Sequence, residues 1–288
     1  MKASLPLGSE LLDQVMDLAV MAGEAIMPFY IRVGDLRVDV KKDHSPVTEA
    51  DRAADHLLQS QLPSLLGLPV LSEETLIPSY DVRSLWEHYW LVDPLDGTRE
   101  FLSGNGEFTV NIALISNGQP VLGVVYVPAS GVGYGGLVGC GAFRYECDNP
   151  RAIKPDEIKV RTMAEREEKG EPLTLVASRR HGSERASRLG DALSAHFGET
   201  VVKPVGSSLK HCLIAEGKAD LCPHFWPTSE WDTAAGQAVV EAAGGQLVDT
   251  SFNPLRYNSK TSLLNPSFYV IADRHFDWKH WLATMGLE

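Results

Sequence analysis

Basic residues are scarce in this 288-residue chain, in which 26 Lys and Arg are outnumbered by 38 Asp and Glu. Non-specific binding to nucleic-acid phosphates needs an excess of positive charge, so the composition argues against a protein that coats nucleic acid. An acidic protein can still accept an anionic substrate where bound metal ions reverse the field locally. We therefore expect no nucleic-acid partner.

Cysteine and long apolar runs are scarce as well. The four cysteines form no C-x-x-C pair and match no histidine spacing, which argues against a disulfide framework or a zinc site and favours reduced thiols in the cytoplasm. No apolar run approaches the roughly 18 residues of a membrane span, and the acidic N-terminal segment does not resemble a signal peptide. Peripheral attachment, such as to the cytoplasmic face of the inner membrane, stays open.

Two halves with different element patterns are predicted. In residues 1–150, an amphipathic helix ending before Pro28 is followed by strands with alternating apolar and polar residues. Two of these strands are joined by a hairpin turn at Asn117-Gly118, and the pattern is typical of an α+β domain. In residues 151–288, strands alternate with helices, which is typical of an α/β domain. The elements expected there are strands at 173–178 and 200–205 and helices at 183–196 and 209–217. A proline-containing linker indicates the domain boundary near residue 150.

The most informative stretch is 90–101, with the sequence WLVDPLDGTREF. Its apolar start is typical of a buried strand, which we expect to end at Pro94 because proline cannot continue a sheet ladder. Three hard oxygen donors, the composition that a Mg²⁺ site requires, follow within four residues: the carboxylates of Asp93 and Asp96 and the backbone carbonyl of Leu95. A helix can begin after Gly97, and its free backbone N–H groups would face an anion such as phosphate. A strand followed by an Asx-type turn is the simpler alternative.

Glu73 is a second candidate ligand. It follows the apolar run 70–72 and would meet Asp93 if the two strands lie side by side in one sheet. Paired glutamates such as Glu73-Glu74 are more often solvated surface charge, and the sequence leaves that alternative open.

Asp51 and Asp232 are acids near predicted helix starts. Asp51 follows Thr48 by three residues, so it can complement the positive end of a helix without any further role. Asp232 is expected to be the N-cap of a helix that begins nearby, and this cap needs no metal ion. Neither residue is assigned a chemical role by its local pattern.

Three separated pieces of the chain together resemble one family: Glu73-Glu74, Asp93-Pro94-Leu95-Asp96-Gly97-Thr98 and Trp231-Asp232. They are similar to the metal-dependent, lithium-sensitive phosphatases of the inositol monophosphatase superfamily, and the resemblance spans nearly the whole chain. The five specified positions of Asp-Pro-x-Asp-Gly-Thr would arise by chance in about one in ten thousand chains of this length. The resemblance implies the α/β class, with a layered αβαβα sandwich of the inositol monophosphatase/fructose-1,6-bisphosphatase type and a site between the halves.

Within that superfamily, the run Asp-Gly-Thr-Arg-Glu-Phe followed by the segment 105–111, together with the segment 206–210, resembles the bacterial 3′(2′),5′-bisphosphate nucleotidases. Inositol phosphatases more often carry Thr-Asn-Phe after Asp-Gly-Thr. This implies hydrolysis of the 3′-phosphate of adenosine 3′,5′-bisphosphate to AMP, in sulfur-assimilation recycling. A broader inositol or sugar phosphatase and a non-catalytic metal or nucleotide sensor are the alternatives. The oligomeric state is not predicted.

The resemblance also implies a role for each site residue. Two or three Mg²⁺ ions would be held by Glu73, Asp93, the Leu95 carbonyl, Asp96 and Asp232. Thr98, hydrogen-bonded to Asp51, would orient and deprotonate the attacking water, and backbone N–H groups of Gly97 and Thr98 would bind the departing phosphate. The substrate would also contact Ser178, His181, Ser207, Lys210 and Asp232. One departure is His224, which stands where related nucleotidases often carry Arg.

Overall fold

The computed structural model describes residues 5–33, 38–40, 46–147, 155–179 and 183–284. The helices in these ranges are α1 (Ser9–Tyr30), α2 (Glu49–Leu66), α3 (Tyr80–Arg83), α4 (Thr98–Ser103), α5 (Met163–Glu168), α6 (Ser183–Phe197), α7 (Leu209–Ala215), α8 (Glu230–Ala242) and α9 (Trp278–Thr284). The strands are β1 (Asp39–Val40), β2 (Pro46–Val47), β3 (Val70–Ser72), β4 (His88–Asp96), β5 (Thr109–Ser116), β6 (Gln119–Val127), β7 (Val132–Leu137), β8 (Gly141–Glu146), β9 (Asp156–Ile158), β10 (Leu173–Ala177), β11 (Thr200–Pro204), β12 (Leu221–His224), β13 (Gln246–Asp249) and β14 (Phe268–Ile271).

Two large sheets organise the molecule. The first has seven strands in the order β3-β4-β5-β6-β7-β8-β9, and all its neighbours are antiparallel except the parallel pair β3 and β4. The second has five strands in the order β11-β10-β12-β14-β13, with β10 parallel to both its neighbours and β14 antiparallel to both of its own. Strands β1 and β2 form a small antiparallel pair.

Helices separate and cover the sheets. Helices α1 and α2 pack on one face of the seven-stranded sheet, while α8 packs on β5, β6 and β7 and also contacts β13 of the other sheet. Helix α6 covers β10 and β11 from outside. Buried apolar clusters fill each interface: one under α1 and α2, one around α7 and α8 between the sheets, and one under α6 and α9. The predicted αβαβα sandwich of the α/β class is confirmed.

The boundary expected near residue 150 falls in a segment outside the described residues. Strand β9, which follows that segment, pairs with β8 in the first sheet. The division into domains 1–150 and 151–288 stays a prediction. In the described part of the chain, no helix combines the length and apolar character needed to cross a membrane.

Two element ends that were predicted from proline were wrong. Helix α1 continues through Pro28 to Tyr30, since a proline in the last turn removes only one intrahelical donor. Strand β4 continues through Pro94 to Asp96. Its register against β5 shifts between Asp93 and Asp96. Because the regular hydrogen-bond ladder is interrupted at such an irregularity, the missing N–H of Pro94 costs no ladder hydrogen bond.

Candidate active site

A cavity of 510 Å³ opens where the two sheets and their helices meet. This volume is typical of small-molecule sites. Its lining brings together segments that are far apart in sequence, the end of β3, the end of β4, the start of α4, and the first turns of α7 and α8.

Among the described residues, one set of carboxylates lies close enough to share a metal ion. Oxygens of Glu73, Asp93 and Asp232 all lie within 4.8 Å of one another. The parallel pairing of Ser72 with Val92 explains why the first two meet, because Glu73 and Asp93 directly follow these paired residues. Asp93 is buried, and its Oδ1 accepts a hydrogen bond from the Leu95 backbone N–H at 3.0 Å, which fixes the carboxylate.

Asp232 reaches this set from the first turn of α8. Asp232 is the third residue of this helix. The prediction that Asp232 is the N-cap was wrong, because Ser229 occupies that position. One oxygen, Oδ2, accepts from the Ser229 backbone N–H at 2.8 Å in a capping box. Burial, together with the charges of Asp96 and Glu73, raises the pKa of Asp232 well above its ordinary value. Clustered carboxylates that resist ionisation together are a fitting donor set for a hard divalent cation such as Mg²⁺.

Asp96 lies beside this set and is held by other protein groups. Its Oδ2 lies 2.6 Å from the backbone N and 2.7 Å from the Oγ of Ser208, and Asn111 Nδ2 is 3.3 Å away. It is not within the three-carboxylate group, although its charge raises the pKa of Asp232. Metal ligation by Asp96 and by the Leu95 carbonyl therefore stays a prediction.

Asp51 both caps α2 and approaches Thr98. Its Oδ2 accepts from the backbone N–H and hydroxyl of Thr48, at 2.8 and 2.7 Å, and so caps α2. Its Oδ1 lies 3.4 Å from the Thr98 hydroxyl, a long hydrogen bond. Asp51 is almost completely buried, and the cap fixes its orientation toward Thr98.

Gly97 caps α4 with a left-handed backbone, φ +88°. A side chain there would be strained, and its Cβ would lie 3.3 Å from the Cβ of Ser207 and 3.4 Å from the carbonyl oxygen of Glu107. Only glycine therefore fits where the segment after β4 approaches the segment before α7.

The predicted substrate contacts are partly brought together. Ser178, Ser207 and Lys210 all line the cavity, and Lys210 Nζ donates to the Ser207 carbonyl at 2.6 Å. His224 also lines it, and its ring stacks on Phe268 at 4.7 Å between centroids. His181 lies outside the described residues. Contact of these side chains with a substrate stays a prediction.

Three further residues near the cavity were not assigned roles from sequence. Ser208 binds Asp96, as described above, and His211 lines the cavity. Glu107 accepts from the Gly206 backbone N–H at 2.7 Å and forms a two-point ion pair with Arg179, at 2.7 and 2.5 Å. These hydrogen bonds, with Arg179 the larger cause, lower the pKa of Glu107. Ser208 and Glu107 lay in segments that carry the resemblance, but no local signal marked His211.

Known proteins are similar to this chain over most of its length. The 3′(2′),5′-bisphosphate nucleotidase CysQ of Escherichia coli (strain K12) is 46% identical over 261 residues, which are 90% of this chain and 99% of that protein. The crystal structure of CysQ from Bacteroides thetaiotaomicron, described as a bacterial member of the inositol monophosphatase family, superimposes with a TM-score of 0.78 at 40% identity, covering 94% of this chain and 100% of that one.

A more distant structure shows the fold alone. The extragenic suppressor protein suhB from Bartonella henselae gives a TM-score of 0.73 at 24% identity, covering 96% of this chain and 98% of that one. The sequence model of the inositol monophosphatase family matches residues 8–281. With the αβαβα sandwich and the carboxylate set in place, this chain belongs to the inositol monophosphatase family.

Proposed function

We propose that this chain is a Mg²⁺-dependent phosphomonoesterase that hydrolyses the 3′-phosphate of adenosine 3′,5′-bisphosphate to AMP and phosphate. The observation that carries the proposal is the meeting of Glu73, Asp93 and Asp232 at the edge of a cavity. Glu73 and Asp232 line this cavity together with Ser207 and Lys210. The 46% identity to a relative named as a 3′(2′),5′-bisphosphate nucleotidase supports the choice of substrate.

The carboxylates would hold the cation. Glu73, Asp93 and Asp232 form the central set, and Asp96 and the Leu95 carbonyl would complete the ligands for two or three ions. Bound Mg²⁺ would neutralise charge on the phosphate and lower the pKa of water at the site.

Thr98 and Asp51 would handle the proton. The Thr98 hydroxyl orients the attacking water and takes its proton as its own passes to Asp51 Oδ1, 3.4 Å away. Because Oδ2 is already occupied by the two Thr48 donors, Oδ1 is the acceptor that the geometry favours.

The phosphate and nucleotide would be bound by neighbouring groups. Backbone N–H groups of Gly97 and Thr98, at the start of α4, would bind the phosphate that is removed. Ser178, Ser207 and Lys210 line the same cavity and would contact the rest of the nucleotide, with the lysine as a point charge for the second phosphate. The proposal includes inhibition of the enzyme by lithium and a role of its reaction in sulfur-assimilation recycling.

The test is phosphate release by the purified protein with Mg²⁺, comparing kcat/KM for adenosine 3′,5′-bisphosphate and inositol 1-phosphate. A large preference for the nucleotide is expected. A preference for inositol 1-phosphate would refute the nucleotide assignment but keep the metal chemistry. Mg²⁺-dependent nucleotide binding without phosphate release would instead indicate a sensor.

A further inference from the structure

His211 is a cavity residue that the proposed reaction does not use. It follows Lys210 on α7, is 3% exposed, and is one of the residues that line the cavity. Among the residues that the structure describes, its Nδ1 has no hydrogen-bond partner. Because buried polar atoms are nearly always paired, a bare ring nitrogen beside a ligand cavity needs a physical explanation.

Gly236 on α8 shows what Nδ1 faces. A Cβ added to Gly236 would lie 2.1 Å from Nδ1 and 2.8 Å from both Cβ and Cγ of His211. This edge of the imidazole is therefore pressed against the helix backbone. Carbonyl groups inside a helix already accept hydrogen bonds from the next turn, so Nδ1 meets no ready acceptor there.

The proton of the ring is consequently placed on Nε2. An N–H at Nδ1 would be a buried donor without an acceptor, whereas an unprotonated Nδ1 leaves only a lone pair unused. The ring is also kept neutral. Burial, followed by the charges of Lys210 and His224, lowers the pKa of His211 well below its ordinary value. A neutral ring with its proton on Nε2 is a hydrogen-bond donor.

Phe268 packs near the His211 ring. Its ring lies 6.3 Å from the His211 ring between centroids, in an edge-type arrangement, and stacks on the His224 ring at 4.7 Å. Lys210, His211 and His224 line one cavity together with Phe268. An anionic group is the ligand that such a set of nitrogen donors favours, in contrast to the carboxylates at the metal site.

We propose that His211 donates a hydrogen bond from Nε2 to the substrate phosphate that is not removed, and so increases the preference for bisphosphorylated over monophosphorylated nucleotides. This inference rests on the proposed function and adds a specificity-determining residue to it. Lys210 supplies the charge at that phosphate, while His211 supplies a directional donor.

Three substitutions distinguish the effect of the hydrogen-bond donor from the effect of side-chain shape. In His211→Gln the amide nitrogen can reach the place of Nε2, in His211→Asn it reaches only the place of Nδ1, and His211→Leu has no donor. The assay measures kcat/KM for adenosine 3′,5′-bisphosphate and for adenosine 3′-phosphate, and takes their ratio. His280→Leu, an exposed histidine on α9, is the matched control.

We expect His211→Leu and His211→Asn to lower the ratio by about tenfold or more, the effect of one hydrogen bond to a charged group. His211→Gln should keep most of the ratio, and His280→Leu all of it. Equal losses on both substrates, or the same ratio for Gln and Asn, would overturn the inference. If the leucine variant does not fold, the Gln and Asn pair decides. A wild-type protein without any preference for the bisphosphate would overturn the proposed function as well, whereas a preference that survives all three substitutions overturns only the inference.

Discussion

Ser208 joins Asp96 to Asp232. Its Oγ lies 2.7 Å from Asp96 Oδ2 and 2.7 Å from the Asp232 backbone carbonyl oxygen, and its backbone N–H donates to Asp96 Oδ2 at 2.6 Å. Asn111 Nδ2 donates to the same Oγ at 2.8 Å. Ser208, the residue before α7, therefore sets the spacing between Asp96 of the first sheet and helix α8, which carries Asp232.

Replacing Ser208 by Ala should lower kcat/KM with Mg²⁺ about 10- to 100-fold, the usual loss for groups that orient metal ligands. The Asp96 carboxylate would keep the backbone donor but lose the hydroxyl. Steady-state kinetics across a Mg²⁺ titration would measure this. Ser194→Ala, at an exposed hydroxyl on α6, is the control. Wild-type kinetics in Ser208→Ala would show that Asp96 needs no side-chain support.

Asp93→Asn should lower kcat/KM by more than about a hundredfold, because it would remove a proposed metal ligand and not merely the support of one. The fold should persist, since the change also relieves repulsion within the carboxylate set. Phosphate release, with thermal unfolding at increasing Mg²⁺, would test both points. The rise in Tm with Mg²⁺ should disappear in this variant and remain in Asp191→Asn, an exposed control. Full activity in Asp93→Asn would eliminate the site assignment.

Thr98→Val should lower kcat about 10²- to 10⁴-fold, the range for loss of general acid–base catalysis. Thr98→Ser keeps a hydroxyl that can reach Asp51 and should retain most of the activity. Comparison of kcat, together with its pH profile, distinguishes loss of proton transfer from loss of packing. An active Thr98→Val beside an impaired Thr98→Ser would show that the methyl group, and not the hydroxyl, is what matters.

Glu230 should make stability depend on pH. Burial raises its pKa from 4.5 to about 7, although its Oε2 accepts from the Asn258 backbone N–H at 2.7 Å. The unfolded chain releases this proton at lower pH than the folded chain does. The free energy of unfolding should therefore fall between about pH 4.5 and pH 7, by up to roughly 3 kcal/mol from this group.

Urea unfolding of Glu230→Gln across that pH range, at saturating Mg²⁺, would measure the contribution. The variant should lose less stability with rising pH than the wild-type protein does. Glu168→Gln, at an exposed glutamate on α5, provides the comparison. Parallel stability curves for wild type and Glu230→Gln would contradict the expected titration.

Gly236→Ala should destabilise the protein by about 1–3 kcal/mol, since its Cβ would overlap the His211 ring and force α7 and α8 apart. Equilibrium urea unfolding would measure this change. Gly8→Ala is a suitable control, because a Cβ at Gly8 meets nothing within 4 Å. An unchanged midpoint in Gly236→Ala would mean that His211 moves freely, which would also weaken the argument for its fixed tautomer.

The sequence alone determined features that depend on residues close together in the chain. The cap of α2 by Thr48 and Asp51, the hairpin at Asn117-Gly118 and the apolar start of β4 follow from short-range patterns, and the structure contains all three. The motif around Asp93 also indicated the family correctly, because several specified positions in a row are rarely coincidental.

Only the tertiary structure decided which acids meet. Asp51 and Asp232 both occupy the third helical position of a capping box. In each, Oδ2 accepts a hydrogen bond from the backbone N–H of the N-cap residue. Whether the rest of such a carboxylate faces solvent or a shared site depends on sheet register and on how helices pack between the sheets. The neutral donor at His211 likewise depends on Gly236, a residue of another helix. Local patterns contain no information about these long-range contacts, because the chain segments involved become neighbours only after the layers have packed.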